Sequence, residues 1–268
     1  MELHQIANNI RKNILTQIYN AKSGHPGGSL SGVEILTLLY FEEMNIPSPD
    51  DANRDRFVLS KGHAAPLLYG VLAEKGFLDK ALLPTLRKIG SPLQGHPDMK
   101  KVKGVDISTG SLGLGISAAV GMALAAKMDK KDYKVYALLG DGEIQEGIVY
   151  EAFMSAAHFG LDNLTVIIDN NNLQIDGSVD EVMSPYPIDE KLKAFGFNVV
   201  NVSDGHDFEK LKKAFENARQ TKGKPTAIIA KTVKGKGVSF MENNVNWHGK
   251  APSKEQYEEA IKELEGKN

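Results

Sequence analysis

Leu139-Gly140-Asp141-Gly142-Glu143-Ile144-Gln145-Glu146-Gly147 is the stretch of sequence that decides the fold. A short apolar run, residues 134–139, leads into it and predicts a buried β-strand. Apolar and small residues then recur at helical spacing over 148–159, and a second apolar strand follows at 164–168. Strand, helix and strand predict a right-handed βαβ unit, which puts Asp141 at the carboxyl edge of a parallel sheet.

The second half of this site is predicted at Asp169-Asn170-Asn171-Asn172, directly after the second strand. Asn171 follows Asp141 by 30 residues and leaves the sheet at the same edge. Magnesium prefers hard oxygen ligands and is commonly held by one or two carboxylates together with phosphate. Gly142 has no Cβ and leaves room for a bulky anion. Each element alone is typical of an ordinary turn, but together they predict a metal-diphosphate site.

The length and composition of the chain limit the kinds of protein that it can be. The 268 residues, 41% of them hydrophobic, suffice for one large α/β domain, and we expect a single domain spanning 1–268. A net charge of −2 argues against nucleic acid or an anionic membrane as a partner. The absence of cysteine excludes disulfides, thiolate zinc sites and cysteine nucleophiles. Without a signal-like N-terminus or a long apolar run, we expect a soluble, cytoplasmic protein.

The remaining periodicity predicts an α/β fold with a doubly wound, mostly parallel sheet flanked by helices. The first helix ends near Lys22, with isoleucines at every fourth position. The other predicted helices are 33–40, 116–128, 188–195, 208–220 and a charged one at 253–265, and the other strands are 57–59, 198–202 and 226–230. Residues 23–29 are expected to be a loop, and 178–187 an exposed loop at a rim or interface.

Three histidines each follow a glycine. His25 lies in Ser23-Gly24-His25-Pro26-Gly27-Gly28, His63 in Ser60-Lys61-Gly62-His63, and His96 in Gln94-Gly95-His96-Pro97. A histidine in a loop is usually a solvated residue, but this recurrence calls for a common reason.

Two further segments allow two interpretations each. The order Gly110-Ser111-Leu112-Gly113-Leu114-Gly115 lacks the preceding strand of a Rossmann fingerprint, so it is either a backbone cradle for part of a cofactor or a tight helix contact. Lys231, Lys234 and Lys236 form a basic strip, which taken alone is more typical of a solvated face.

Taken together and in this order, these motifs resemble transketolase. The resemblance covers nearly the whole chain and corresponds to the N-terminal, diphosphate-binding portion of a much longer polypeptide. The chain therefore resembles the N-terminal subunit of a split transketolase, which implies a thiamine-diphosphate-binding fold.

The resemblance implies roles for individual residues. Asp141, Asn171 and the backbone oxygen of Leu173 would bind Mg²⁺ or Ca²⁺. The residues that would line thiamine diphosphate are His63, Gly110, Ser111, Leu112, Gly142, Asn171 and His248. His25, His96 and His248 would be catalytic, acting on the sugar hydroxyls and on proton movements, and Glu146 would lie near a subunit contact. The register within the three asparagines is set by aligning Ile175-Asp176-Gly177, and the flanks of His248 differ from those of many longer transketolases.

The implied activity is that of a transferase of the pentose phosphate pathway, moving a two-carbon ketol unit from a ketose phosphate to an aldose phosphate. The glutamate that activates the aminopyrimidine ring lies in the family's pyrimidine-binding domain, for which no residues remain here. We therefore expect the chain to be inactive alone and to require a C-terminal partner subunit in an α2β2 heterotetramer.

Alternatives are the alpha subunit of a 2-oxo acid dehydrogenase, a deoxyxylulose-phosphate synthase-like protein, and a non-catalytic cofactor-binding module. The histidine set argues against the first two, because ketol transfer between sugars needs several donors directed at hydroxyl groups. A module without catalysis would have no use for Asp141, His63 and His25.

Overall fold

A five-stranded, all-parallel β-sheet forms the centre of the protein, whose computed structural model describes residues 2–266. The strands in chain order are β1 (Arg56–Leu59), β2 (Val135–Gly140), β3 (Leu164–Asn170), β4 (Leu173–Gln174), β5 (Gly177–Ser178), β6 (Asn198–Val202) and β7 (Thr226–Lys231). The large sheet has the order β1-β2-β3-β7-β6, and β4 pairs with β5 in a small antiparallel ribbon.

Helices cover both faces of this sheet. They are α1 (Leu3–Ala21), α2 (Pro26–Leu30), α3 (Val33–Leu38), α4 (Ala65–Glu74), α5 (Leu114–Met128), α6 (Gly147–His158), α7 (Val179–Met183), α8 (Ile188–Ala194), α9 (Phe208–Gln220) and α10 (Lys254–Glu265). Short segments of other helix types occur at Leu39–Glu43, Gly62–Ala64, Lys80–Thr85, Glu143–Gln145 and Val245–Trp247. Among the described residues, no helix is both long enough and apolar enough to cross a membrane.

Alternate side chains of each strand point into two separate cores. On β2, Tyr136 and Leu138 pack in one core with α1, α3, α4, α9 and α10. Val135, Ala137 and Leu139 pack in the other core with α5, α6 and α8. Strands buried on both sides are characteristic of parallel sheets in α/β proteins. The predicted doubly wound architecture is therefore confirmed.

The βαβ unit formed by β2, α6 and β3 is as predicted. Gly140 and Asp169 are partners in the register of β2 and β3, so both strands end at the same level. The next residue, Asp141, donates its backbone N–H to the carbonyl of Asp169 at 3.3 Å. Asp141 and Asn171 therefore leave the sheet side by side at its carboxyl edge.

Two predicted loops are partly helical. Within 23–29, helix α2 begins at Pro26, because proline at the first helical position presets φ and gives up no hydrogen bond there. Within 178–187, Ser178 and Glu181 form a capping box that starts α7. Most of the α7 side chains are exposed, as expected for a rim.

The glycines of α5 allow a direct test of its packing. A Cβ added to Gly115 would lie 2.6 Å from the Cα of Ser60, whereas one added to Gly121 would meet nothing within 4 Å. We expect Gly115→Ala to lower the free energy of unfolding by about 1–3 kcal/mol through overpacking. The matched control Gly121→Ala should raise it by up to about 1 kcal/mol through helix propensity. Urea denaturation of the two variants measures both effects, and equal effects would contradict the tight contact.

Candidate functional site

The predicted site residues converge on one cavity of about 380 Å³ at the carboxyl edge of β2 and β3. The predicted residues that line it are His25, His63, Gly110, Leu112, Asp141, Gly142, Asn171, Leu173 and His248. Glu146 lines it too. Ser111 and His96 do not line the cavity, and both are exposed. The His96 ring lies behind Gly110, whose added Cβ would come within 3.2 Å of its Cγ.

Asp141 is a carboxylate with few compensating contacts. It is 2% exposed and accepts hydrogen bonds from the backbone N–H groups of Gly142, at 2.9 Å, and Asn172. Burial, followed by the negative charge of Asp169, raises the pKa of Asp141 to about 6. A bound cation would offset both effects, so the site favours a positive ion at this point.

Two further oxygens lie beside Asp141. Asn171 is 8% exposed, and its side-chain oxygen accepts a hydrogen bond from the N–H of Leu173 at 3.2 Å. The carbonyl oxygen of Leu173 accepts from the Lys234 ammonium at 2.9 Å. One carboxylate, one amide oxygen and one carbonyl are hard donors of the kind that Mg²⁺ and Ca²⁺ prefer, so the three residues fit such a metal.

A buried ion pair supports the floor of the cavity. Asp169, at the end of β3, is fully buried and pairs with Lys61, which follows β1. Its carboxylate also accepts hydrogen bonds from the hydroxyls of Ser31 and Thr232. Burial alone would raise the pKa of Asp169, but Lys61 and the two hydroxyls hold it below its usual value.

Lys234 places a second ammonium in the cavity. It is 2% exposed and contacts the carbonyl of Leu173 and the Nδ1 of His248, both at 2.9 Å. Burial, and then the charge of Lys61, lower the pKa of Lys234 to about 8. The interpretation of the lysine strip as a solvated face is therefore wrong for Lys234, although Lys231 is exposed. Two ammonium groups beside a hard-metal donor set are suited to a diphosphate.

Three imidazole rings meet on the other side of the cavity. The ring centroids of His25, His63 and His248 are 5.2 to 5.6 Å apart. Burial and the charge of Arg87 lower the pKa of His25 to about 4, and burial and Lys234 lower that of His248 to about 3. Burial likewise lowers the pKa of His63. At neutral pH the rings are therefore uncharged, each with one donor and one acceptor nitrogen.

The glycine-rich segment before α5 is hydrogen-bonded to the carboxyl edge of the sheet. Gly113 has φ +83°, and its N–H donates to the carboxylate of Glu143 at 2.9 Å. The same carboxylate accepts from the N–H of Gly140 at 3.1 Å. The tight helix contact is present, because Gly115 packs closely on Ser60. Gly110 lines the cavity, and the cofactor cradle stays a prediction.

A polar network behind the cavity holds the segment that carries Lys234. Glu34 accepts from Arg11 at 2.6 Å and lies 2.9 Å from the Nδ1 of His206. The Nε2 of His206 accepts the N–H of Val233 at 2.9 Å, so Nδ1 carries the proton and donates to Glu34. Although burial opposes its charge, Arg11 and His206 lower the pKa of Glu34 to about 2.

Several residues of the site were not predicted. They are Lys61, Glu143, Asp169, Gln174 and Lys234, of which all but Asp169 line the cavity. Two signals were present in the sequence, since Lys61 directly precedes a glycine-histidine pair and Asp169 ends an apolar strand. Gln174 carried no such signal, and its Nε2 is buried without a hydrogen-bond partner in the described structure.

Known proteins similar to the chain share both its sequence and its structure. The family model described as transketolase, thiamine diphosphate binding domain, matches residues 3–268. The chain is 47% identical over 256 residues to one of the subunits of apulose-4-phosphate transketolase from Phocaeicola vulgatus, covering 95% of this chain and 90% of that protein. It is 44% identical over 267 residues to a 6-deoxy-6-sulfo-D-fructose transketolase subunit from a Clostridium species, covering 99% and 97%.

Longer relatives match along part of their length. Human transketolase is 47% identical over 268 residues, with 98% of this chain and 42% of that protein covered. The structure of transketolase from Leishmania mexicana superposes with a TM-score of 0.93 at 34% identity, covering 99% of this chain and 41% of that one.

The lowered pKa of His248 makes the protein sensitive to acid. Below pH 6.5 the unfolded chain takes up a proton that the native His248, with a pKa of about 3, does not, so native stability falls as the pH is lowered from 6.5 toward 3. Allowing for solvent screening, we expect His248→Asn to reduce the loss of unfolding free energy between pH 7 and pH 5 by about 1 kcal/mol. Urea denaturation at both pH values measures this difference. An unchanged pH dependence would contradict the role of the buried neutral ring.

Proposed function

Because the chain belongs to the family of transketolase thiamine-diphosphate-binding domains, we propose that it is the diphosphate-binding subunit of a two-subunit transketolase. With its partner it transfers a two-carbon ketol unit from a ketose phosphate to an aldose phosphate. The observation that carries this proposal is the meeting, in one cavity, of a hard-metal donor set, two ammonium groups and three neutral imidazoles. The resemblance drawn from the motifs is confirmed at the level of the family.

The cofactor is thiamine diphosphate, and the residues present fit it. Asp141, Asn171 and the carbonyl of Leu173 would hold Mg²⁺ or Ca²⁺, and Lys234, which contacts that carbonyl, would supply an ammonium group to the diphosphate. Lys61 adds a second positive charge. The other residues proposed to contact the cofactor are His63, Gly110, Leu112, Gly142 and His248, which line the cavity, and Ser111, which is exposed between Gly110 and Leu112. When bound, thiamine diphosphate supplies the nucleophilic carbon that retains the two-carbon unit between donor and acceptor.

The histidines act on the sugar. His248 accepts from Lys234 through Nδ1, which leaves Nε2–H as a donor toward the cavity. His25 has a buried Nδ1 without a partner in the described structure, so it has hydrogen-bonding capacity for a substrate hydroxyl. His96 adjoins Gly110 from outside the cavity, a position from which it would reach only the far end of a sugar. Because the rings of His25 and His248 are neutral at pH 7, each can hold or pass a proton.

A partner subunit completes the site in this proposal. The two short relatives are named as subunits and have about the length of this chain, whereas human transketolase is much longer. Exposed apolar side chains support a protein contact on this side, because Ile175 lines the cavity and the exposed Leu114 and Met183 lie on segments that adjoin it. Residues 1–268 then form one domain of an α2β2 heterotetramer, with the pyrimidine-binding and C-terminal domains on the other chain. We place this enzyme in the cytoplasm and in the pentose phosphate pathway.

The alternatives drawn from the sequence are less well supported. A 2-oxo acid dehydrogenase subunit or a deoxyxylulose-phosphate synthase-like protein shares the metal-diphosphate half of the site. The family match and the relatives favour transketolase over both.

Reconstitution tests the dependence on a partner. We expect the purified chain, supplied with thiamine diphosphate and Mg²⁺, to show no ketol transfer, and the same chain combined with a pyrimidine-domain subunit to be active. Asp141→Asn in the complex should abolish the activity, because the metal loses its carboxylate ligand. A coupled assay of ketose-phosphate consumption measures all three. Robust ketol transfer by the chain alone would contradict the two-subunit proposal.

Lys234 tests the diphosphate contact. Replacing it with methionine removes a charge-assisted hydrogen bond, so Lys234→Met in the complex should weaken thiamine diphosphate binding by about 10- to 100-fold. Lys231→Met, at an exposed position of the same strip, should leave the affinity unchanged. The fluorescence of Trp247, the single tryptophan and the neighbour of His248 in sequence, reports binding. Equal affinities in the two variants would remove Lys234 from the site.

A further inference from the structure

Both ring nitrogens of His206 have hydrogen-bond partners. Nδ1 lies 2.9 Å from the carboxylate of Glu34, and Nε2 lies 2.9 Å from the backbone nitrogen of Val233. The side chain of His206 is 10% exposed, and its own N–H donates to the carboxylate of Asp204 at 2.9 Å. Because a backbone N–H can only donate, Nε2 is an acceptor and the proton lies on Nδ1. The imidazole therefore connects α3 to the segment after β7 in one tautomer.

Arg11 closes a ring of hydrogen bonds that begins at His206. The Nη2 of Arg11 donates to Glu34 at 2.6 Å, and its Nε donates to the carbonyl of Lys236 at 3.0 Å. The contacts thus leave the segment after β7 at Val233 and return to it three residues later. Arg11 is 7% exposed and Glu34 is 6% exposed, so water has little access to the ring. Two positions of one short turn are therefore held against α1 and α3.

Lys234 lies between the two ends of this ring. Its side chain lines the cavity, where Nζ contacts the carbonyl of Leu173 and the Nδ1 of His248, both at 2.9 Å. The next residue, Gly235, donates its N–H to the carbonyl of Gly27 at 3.0 Å. An added Cβ on Gly27 would lie 2.9 Å from the Cγ of Lys234, so the side chain is closely packed along its length. A shift of this turn would therefore move the ammonium away from both of its partners.

We propose that His206 is a positioning residue, which acts through the backbone of Val233 to place the ammonium of Lys234 in the cavity. The inference rests on the proposed function, in which that ammonium meets the diphosphate of the cofactor. The same ammonium contacts Nδ1 of His248, so its placement also sets which nitrogen of His248 carries the proton. His206 is not one of the residues that line the cavity, so its effect on the cofactor is indirect.

Two substitutions separate the acceptor of His206 from its donor. His206→Gln keeps an acceptor within reach of the N–H of Val233 but loses the donor to Glu34, whereas His206→Asn keeps a donor near Glu34 but loses the acceptor. Each removes one hydrogen bond, so urea denaturation should show similar losses of stability. In the complex with the partner subunit, His206→Asn should weaken thiamine diphosphate binding by about 10-fold and His206→Gln by less than about threefold. Equal affinities of the two variants would overturn the positioning role.

A double-mutant cycle tests whether the effect passes through Lys234. When Lys234→Met has already removed the ammonium, His206→Asn should change the affinity for thiamine diphosphate by less than about twofold. Two independent effects would multiply instead. A further loss of about 10-fold in the double variant would therefore contradict this path.

Nuclear magnetic resonance of the isotope-labelled full chain tests the contact itself, without cofactor or catalysis. We expect a scalar coupling across the hydrogen bond between the backbone nitrogen of Val233 and the Nε2 of His206, with the ring proton on Nδ1. A ring protonated at Nε2 at neutral pH would overturn the assignment. If the coupling and the double-mutant cycle are as expected but the wild-type complex transfers no ketol unit, the positioning role stands and the proposed function fails.

Discussion

The ion pair between Lys61 and Asp169 is the contact on which the candidate site depends. Asp169 is fully buried at the end of a central strand, and its carboxylate pairs with Lys61, which follows β1. It also accepts hydrogen bonds from Ser31, between α2 and α3, and from Thr232, which follows β7. Segments far apart in the chain are thereby joined at one edge of the sheet. Removing one partner of such a buried pair leaves an uncompensated charge and typically costs about 3–5 kcal/mol, so the geometry of this edge is strongly held.

In the cavity next to this ion pair, charged side chains and neutral histidine rings lie on different sides. Asp141 lies on one side, the ammonium groups of Lys61 and Lys234 lie next to it, and the histidine rings of the other side are neutral. Burial is the leading cause of the pKa shifts of Asp141, Lys234, His25 and His248, because it disfavours the charged form of each group. A metal diphosphate would satisfy the carboxylate and the ammonium groups together. The histidines would then remain free for the sugar.

The sequence predicted the parts of the site that depend on local order. Asp141 and Asn171 follow strands of one βαβ unit, and chain direction alone brings such positions to the same edge. Lys234 could not be predicted in this way, because lysine is almost always exposed and its neighbours Lys231 and Lys236 gave no sign that one of the three is buried. Burial of Lys234 depends on the path of the whole 232–237 segment. Helix α7 differs, because its capping box of Ser178 and Glu181 is a local signal, and the prolines that favoured a loop, Pro185 and Pro187, follow the end of the helix.

The network of Arg11, Glu34 and His206 connects the first helix, α1, to the candidate site. Arg11 of α1 also donates a hydrogen bond to the carbonyl of Lys236 at 3.0 Å, although the two residues are 225 positions apart. Helix α1 therefore contacts the segment that carries Lys234 directly. An added Cβ on Gly237 would lie 2.6 Å from the Nε of Arg11, so the backbone at Gly237 packs closely against this side chain. The N-terminus is therefore structural support for the cofactor cavity. A tag or truncation that disturbs α1 alters the active site from the opposite end of the chain.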